Sequence, residues 1–182
     1  MDHLATSIRR CAVAILSSIL LFSCYPGSDA ESFHREWEKD RQRRIAAMRE
    51  ATKTTARGRS LEGAALQSFL SDRTHVFAYE TTPDGRRDKY VEWNWFRADG
   101  RLVYLNTLWA TDPEGSSNDK WSVDDRRVCI LNTHFSQDEQ CYAIAVTADG
   151  RVQYFISQPG DPADGLLTKV TNEVYEGAPR VK

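Results

Sequence analysis

Histidine is scarce in this chain of 182 residues, which contains only four histidines. The motifs by which many enzymes are recognised are missing too. There is no glycine-rich loop that would cradle a phosphate, no nucleophile elbow, and no set of cysteines or histidines with metal-ligand spacing. The sequence therefore predicts no catalytic residue, no metal site and no cofactor, and we expect a protein that is not an enzyme.

Two weaker arrangements of catalytic residue types remain. His134 lies beside Ser136 and Asp138, but all three fall in one predicted turn, where neighbours rarely build the geometry of a nucleophile and its base. Glu80 and Glu92 would form a carboxylate pair if their strands were adjacent. Solvated strand positions explain these two residues at least as well, so a hydrolase is the weakest function considered.

A long apolar run is also missing. The most apolar stretch, Cys11–Phe22, has twelve residues, whereas a membrane-spanning helix needs about 20. It directly follows Arg9 and Arg10, and a charged segment before a short apolar one is typical of a signal peptide. We therefore expect an exported protein, with a retained N-terminal anchor as the weaker alternative.

Two cleavage sites fit this signal peptide. The segment Leu21-Phe22-Ser23-Cys24 resembles the lipobox of bacterial lipoproteins, which predicts a signal peptide over residues 1–24 and a lipid on Cys24. An ordinary signal peptide over residues 1–30, cleaved after Ala30, is the alternative. We favour the lipoprotein, and by resemblance to lipoprotein sorting, Tyr25 then indicates the periplasmic side of the outer membrane.

The next segment is strongly basic. Residues 31–60 carry nine Lys or Arg and five Asp or Glu, a net charge of +4. Their composition favours a helix, which predicts a basic helical stalk and linker over residues 25–60. One interpretation is a solvated helix. The other is an amphipathic helix over residues 31–52 that touches an anionic membrane through Phe33 and Trp37. Nucleic acid is not an expected partner of an exported chain.

Cys129 and Cys141 flank a polar, turn-prone segment. If they face each other across an antiparallel pair, the turn is centred on Phe135 and Ile130 lies opposite Gln140. Two buried free thiols are the alternative. Because disulfides persist in oxidising compartments, export favours the disulfide. By the chain-entropy account, such a cross-link stabilises the fold by about 3 kcal/mol.

Residues 61–182 form one predicted domain with a net charge of −6. Leu61–Leu70 has the pattern of a short helix. After it come seven or eight short alternating segments separated by turn signals such as Asp99-Gly100 and Asp149-Gly150. The pattern predicts a mainly β fold: a small antiparallel β-barrel or meander in up-and-down order, preceded by a short helix and the basic stalk.

Aromatic side chains on the predicted strands suggest a pocket for a small apolar ligand, although they would equally well fill the barrel as its core. These residues are Phe77, Tyr79, Trp93, Trp95, Tyr104 and Trp121. A basic envelope protein that docks on the acidic loops is a second candidate partner. The acidic residues concerned are Asp112, Glu114, Asp119, Asp124 and Asp125.

A family resemblance rests on Trp121-Ser122-Val123, Cys129, Cys141 and Ala148-Asp149-Gly150. In this order they resemble an uncharacterised, lipocalin-like family of secreted proteins from proteobacteria. The resemblance implies a small β-barrel in the cell envelope. The chain resembles more faintly the barrel lipoproteins that inhibit lysozymes. We therefore expect a non-catalytic envelope binding module, with a lysozyme-inhibitor-like or envelope-assembly lipoprotein as the alternative.

Overall fold

The computed structural model describes residues 27–79, 85, 90–107, 119–133, 137–171 and 173–180. The predicted lipobox and Cys24 lie outside these residues. The chain divides between Gln42 and Arg43 into two units. No helix among the described residues is both long enough and apolar enough to span a membrane.

Two helices and ten strands are described. Helix α1 is Gly27–Thr54 and helix α2 is Gly63–Leu70. The strands are β1 (Arg59–Leu61), β2 (Arg73–Tyr79), β3 (Tyr90–Phe96), β4 (Leu102–Asn106), β5 (Lys120–Asp124), β6 (Arg127–Leu131), β7 (Gln140–Val146), β8 (Val152–Ile156), β9 (Leu167–Thr171) and β10 (Glu173–Glu176).

The strands form two antiparallel sheets. One sheet has the order β5-β6-β7-β8-β9, with β1 paired to the end of β7, and the other has the order β10-β2-β3-β4. Apart from β1 and β10, strands that follow one another in the chain are neighbours within each sheet, as hairpin-length connections favour. The predictions of a mainly β fold, of antiparallel pairing and of a preceding short helix are confirmed.

In the described part of the chain, the edges of the two sheets are connected at two places. Strand β9 ends at Thr171, and the chain continues as β10 in the other sheet from Glu173. At the other side, Arg101 and Lys120 form an isolated antiparallel bridge between the starts of β4 and β5. Among the described residues these junctions do not close a barrel, so the predicted barrel is corrected to two linked sheets, a meander in chain order.

The disulfide joins neighbouring strands as predicted. The sulfur atoms of Cys129 and Cys141 are 2.06 Å apart. The two residues are register partners on β6 and β7, and Ile130 faces Gln140. The alternative of two free thiols is thereby set aside, and the cross-link holds the hairpin at the middle of the larger sheet.

The second half of α1 belongs to the same unit as the strands. Ile45 and Met48 are buried against Ala163, and the Leu167 amide donates a 2.8 Å hydrogen bond to the hydroxyl of Thr52. Since this unit begins at Arg43, the domain boundary expected at residue 61 lies inside it. The apolar positions of the predicted stalk are thus partly explained by packing on the sheet.

The segment predicted as a linker is tied to the sheet as well. Gln153, which is buried, accepts a 2.8 Å hydrogen bond from the Gly58 amide and donates one of 2.9 Å to the Ala56 carbonyl. A Cβ at residue 58 would overlap the backbone carbonyl of Val146, so only glycine lets the chain approach this closely. Strand β1 then pairs with β7.

The main core cluster includes α2 through Leu66 and Leu70, together with Phe96, Trp121 and Ile144. Leu66, Leu70 and Phe96 are fully buried. Because α2 contributes two of these side chains, the short helix completes one end of the core.

Candidate functional site

A cavity of about 260 Å³ lies between the inner faces of the two sheets. Its apolar walls come from β2, β3, β6, β7 and β8. The apolar lining residues are Phe77, Phe96, Ile130, Tyr142, Tyr154 and Ile156. The exposed side chains Asp138 and Gln140 also line the cavity, so it reaches solvent on their side.

An ion pair lies at the wall of this cavity. The Glu92 side chain on β3 is buried, and its Oε1 accepts a hydrogen bond of 3.2 Å from Lys169 Nζ on β9. The pair therefore bridges the two sheets. The second carboxylate oxygen, Oε2, is buried and makes no hydrogen bond with the described residues.

Lys169 keeps its charge inside the protein. Burial is the largest single effect and lowers the pKa of this ammonium, but the charge of Glu92, its hydrogen bond and the nearby Tyr142 and Tyr104 together outweigh burial, so the pKa is raised above its ordinary value. The Lys169 side chain is 25% exposed, and its Nζ lies 5.1 Å from the centroid of the Phe77 ring. The cation is thus fixed by both a carboxylate and an aromatic face.

Two tyrosine hydroxyl groups of the cavity have internal partners. The Asn106 amide donates to the Tyr104 hydroxyl at 3.2 Å, and the Tyr142 hydroxyl donates to Gln140 at 2.7 Å. These bonds orient the hydroxyl groups before any ligand arrives. A site held in this way loses less conformational entropy on binding.

His75 is a core residue. It is completely buried, and Phe69, Phe96 and Tyr154 pack edge-on against it. Its Nδ1 lies 2.7 Å from the Tyr154 hydroxyl. Burial, assisted by the charge of Arg73, lowers the pKa of His75 to about 3, so the imidazole is neutral at physiological pH.

Two of the six predicted pocket residues line the cavity, Phe77 on β2 and Tyr104 on β4. Tyr79 and Trp121 are buried in the adjoining core cluster. The Trp121 indole N–H donates a 2.8 Å hydrogen bond to the Arg97 carbonyl. This donor is therefore already used within the protein and does not serve a ligand.

Trp93 and Trp95 lie on the other face of β3, so their predicted place in the pocket is corrected. Trp93 packs with Val103 and Leu105 in a separate cluster, and the Trp95 indole N–H donates a 3.1 Å hydrogen bond to Asp72. Successive side chains of a strand point to opposite faces. Since these tryptophans face away from the cavity, their neighbours on β3 must face it.

The polar lining was missed by sequence reasoning. Glu92 and Asn94 alternate with the tryptophans and share the inward face of β3 with Phe96. The period-two pattern separates these two sets correctly but does not say which set is inside, because both contain large aromatic residues. Lys169 lies across the cavity from β3. It can be recognised as a lining residue only once the arrangement of the two sheets is known.

The remaining candidates do not form a second site among the described residues. His134, Glu80, Asp112 and Glu114 lie outside them. Asp119 is buried and accepts hydrogen bonds of 2.9 and 2.6 Å from the amide and hydroxyl of Thr133, so it holds a turn.

Two more features have structural explanations. Asp124 pairs with Arg127 at 2.7 Å on the surface, within one hairpin. A metal-like cluster of Cys129, Glu139 and Cys141 is found in the described part of the chain. Both of its sulfur atoms are engaged in the disulfide, so neither is a thiolate ligand.

No protein-family model, curated protein or solved structure matches this chain. The geometry of the cavity and the sequence of the N-terminal segment carry the functional argument.

Proposed function

We propose that this chain is an exported bacterial envelope protein whose β domain binds a small molecule without transforming it. The observation that carries the proposal is the 260 Å³ cavity between the sheets, with aromatic walls and an ion pair. A cavity of about 150 Å³ is enough for benzene. This one has room for a ring with a short substituent.

The lipocalin-like character belongs to the same proposal. Strands that are consecutive in the chain pair in order around the cavity, and the two sheets are linked at β9–β10 and at the Arg101–Lys120 bridge. Lipocalins hold one small ligand inside a closed up-and-down barrel, with which the two linked sheets share the sequential pairing of strands. The likeness supports a binding role rather than a particular ligand.

Export and lipid anchoring at Cys24 are proposed from the sequence. Arg9, Arg10 and the apolar run after them support a signal peptide, and the lipobox resemblance supports a lipid on Cys24. The Cys129–Cys141 disulfide is consistent with an oxidising compartment such as the periplasm. The proposed location is the periplasmic side of the outer membrane.

Membrane contact through α1 is also proposed, in a narrower form than the sequence suggested. Phe33 is 72% exposed and Trp37 is 48% exposed, and they are four residues apart on one side of the helix. Ile45 and Met48 are buried in the domain. The proposed membrane-facing stretch therefore ends before Arg43.

Ligand binding is tested by thermal denaturation of the mature protein against a panel of small apolar and amphipathic ring compounds. A ligand at 100 times its Kd stabilises the native state by about 2.7 kcal/mol, which raises Tm. Thr168→Phe, which fills the cavity, should abolish the shift. Ser122→Phe, at an exposed position of β5, should keep it.

Near-ultraviolet circular dichroism shows whether each variant is folded. The proposed binding function is refuted if no compound raises Tm, or if folded Thr168→Phe responds as the wild type does.

Export is tested separately by the intact mass of the protein purified from its native membrane, before and after reduction. The expected species begins at Cys24, carries acyl chains and gains two hydrogens on reduction. A chain that retains residues 1–24 and has free Cys129 and Cys141 would contradict export, anchoring and the oxidised state together.

A further inference from the structure

Resting on the proposed binding function, we infer that the cavity selects small neutral ligands whose polar end carries a hydrogen-bond donor and an acceptor side by side, as an amide does. Glu92 and Lys169 are the residues that make this selection.

The donor is required by Glu92. Glu92 lines the cavity, and its Oε2 is buried and has no hydrogen-bond partner among the described residues. A buried acceptor without a partner is unfavourable because it has lost water and gained nothing. A ligand N–H placed against this oxygen supplies the missing bond.

The acceptor is required by Lys169. An ammonium has three N–H donors, and among described residues one hydrogen bond of this group is seen, to Glu92 Oε1 at 3.2 Å. The group also lines the cavity. The ligand therefore meets an acceptor and a donor next to each other, which is the complement of an amide edge.

The neutral charge follows from the pair itself. Glu92 and Lys169 compensate each other, so a ligand carboxylate or ammonium would bring a charge with no remaining partner between largely apolar walls. A carboxylate would also face Glu92, and an ammonium would face Lys169. Either ion should bind more weakly than a neutral group of the same size.

The aromatic walls determine the apolar part of the ligand. Phe77, Phe96 and Tyr154 lie on the inner faces of both sheets and offer ring faces and edges. Aromatic pairs prefer such offset or edge-to-face contacts. A single aromatic ring bearing the amide meets the size, the shape and the polar requirement together.

The test compares four probes of nearly equal size: benzamide, toluene, benzoate and benzylamine. Calorimetric titration of the wild-type protein should give a Kd for benzamide at least tenfold lower than for the other three. In Glu92→Met/Lys169→Met, benzamide should lose this advantage and toluene should bind as well or better. In the control Asp124→Met/Arg127→Met, which removes a surface pair, the order should not change.

Binding of benzamide should also shift the NMR signals of the Glu92 and Lys169 backbone amides, which decides the matter if the double variant does not fold. If toluene or either ion binds as tightly as benzamide, or benzamide leaves those signals unmoved, the inference is overturned while the binding function stands. If none of these probes or of the earlier panel binds, the proposed binding function itself fails.

Discussion

Glu92 and Lys169 show how single residues can join two sheets. Each side chain comes from a different sheet, and the ion pair they make is largely removed from water. Forming such a pair costs desolvation, so it adds little net stability compared with apolar residues. Removing one member alone, in contrast, is strongly destabilising.

We expect Lys169→Met to lower the free energy of unfolding by about 3 kcal/mol, because it leaves the Glu92 carboxylate buried without its cation. Glu92→Met/Lys169→Met should recover most of that loss. Urea denaturation measures both values. Asp124→Asn, in the exposed pair with Arg127, is the control and should change stability by less than about 1 kcal/mol. Equal losses in the single and double variants would show that packing, not charge, dominates.

His75 should make the domain sensitive to acid. Its pKa is lowered from 6.5 to about 3 in the folded protein, so below pH 6.5 the unfolded chain takes up a proton that the native state does not. Stability is then lost as pH falls from 6.5 towards 3, by about 1.4 kcal/mol per pH unit.

In His75→Asn this contribution should vanish, so its stability should fall less steeply between pH 6 and pH 4 than that of the wild type. Urea titrations at several pH values measure the two slopes. Parallel slopes would mean that His75 is protonated in the native state as readily as in the unfolded one.

At the level of single residues, the sequence predicts which side chains share a face of a strand. It does not predict which face points into the cavity. The two faces of β3 were separated correctly, yet Trp93 and Trp95 were assigned to the pocket while Glu92 lines it. Hydrophobicity normally decides which face is buried. Here both faces are buried, one against the cavity and one in a second apolar cluster, so the rule had nothing to distinguish.

At the level of elements, local pattern was a good guide. The predicted strand at Tyr90–Phe96 coincides with β3, and the register of Cys129 with Cys141 follows from the turn between them. One strand that the sequence does not predict, β1, is only three residues long and pairs far along the chain with β7. Its polar, turn-like composition is typical of a linker, and tertiary contacts make it ordered structure: β1 pairs with β7, and the residues just before β1 bind Gln153.

Gly58 is the residue on which this ordering depends. Gly58→Ala should destabilise the domain by about 1–3 kcal/mol, because the added methyl group overlaps the Val146 carbonyl and either strand must move. Chemical denaturation measures the loss. Ser60→Ala, at an exposed position of the same segment, should have little effect. Similar stabilities for both variants would show that the segment can shift without cost.

At the level of the whole molecule, the helix matters through its second half. Deleting residues 1–42 should leave a folded β domain, since the unit that contains the strands begins at Arg43. Deleting residues 1–54 should lower Tm markedly, because it exposes the sites covered by Ile45 and Met48 and removes the Thr52 bond to Leu167. Thermal unfolding of the two truncations checks this, and equal Tm values would contradict it.

The passage from β9 to β10 has a consequence for how the chain is assembled. Strand β10 is the outer neighbour of β2, with Glu173 opposite Val76. However, β2 is synthesised near the start of the domain and β10 near its end. Until β10 emerges, a newly made β2 has a bare edge with unpaired backbone groups, the kind of surface that recruits other chains. The ribosome therefore synthesises β2 early and β10, which pairs with its edge, late. In the interval between them the nascent protein most needs a holding chaperone.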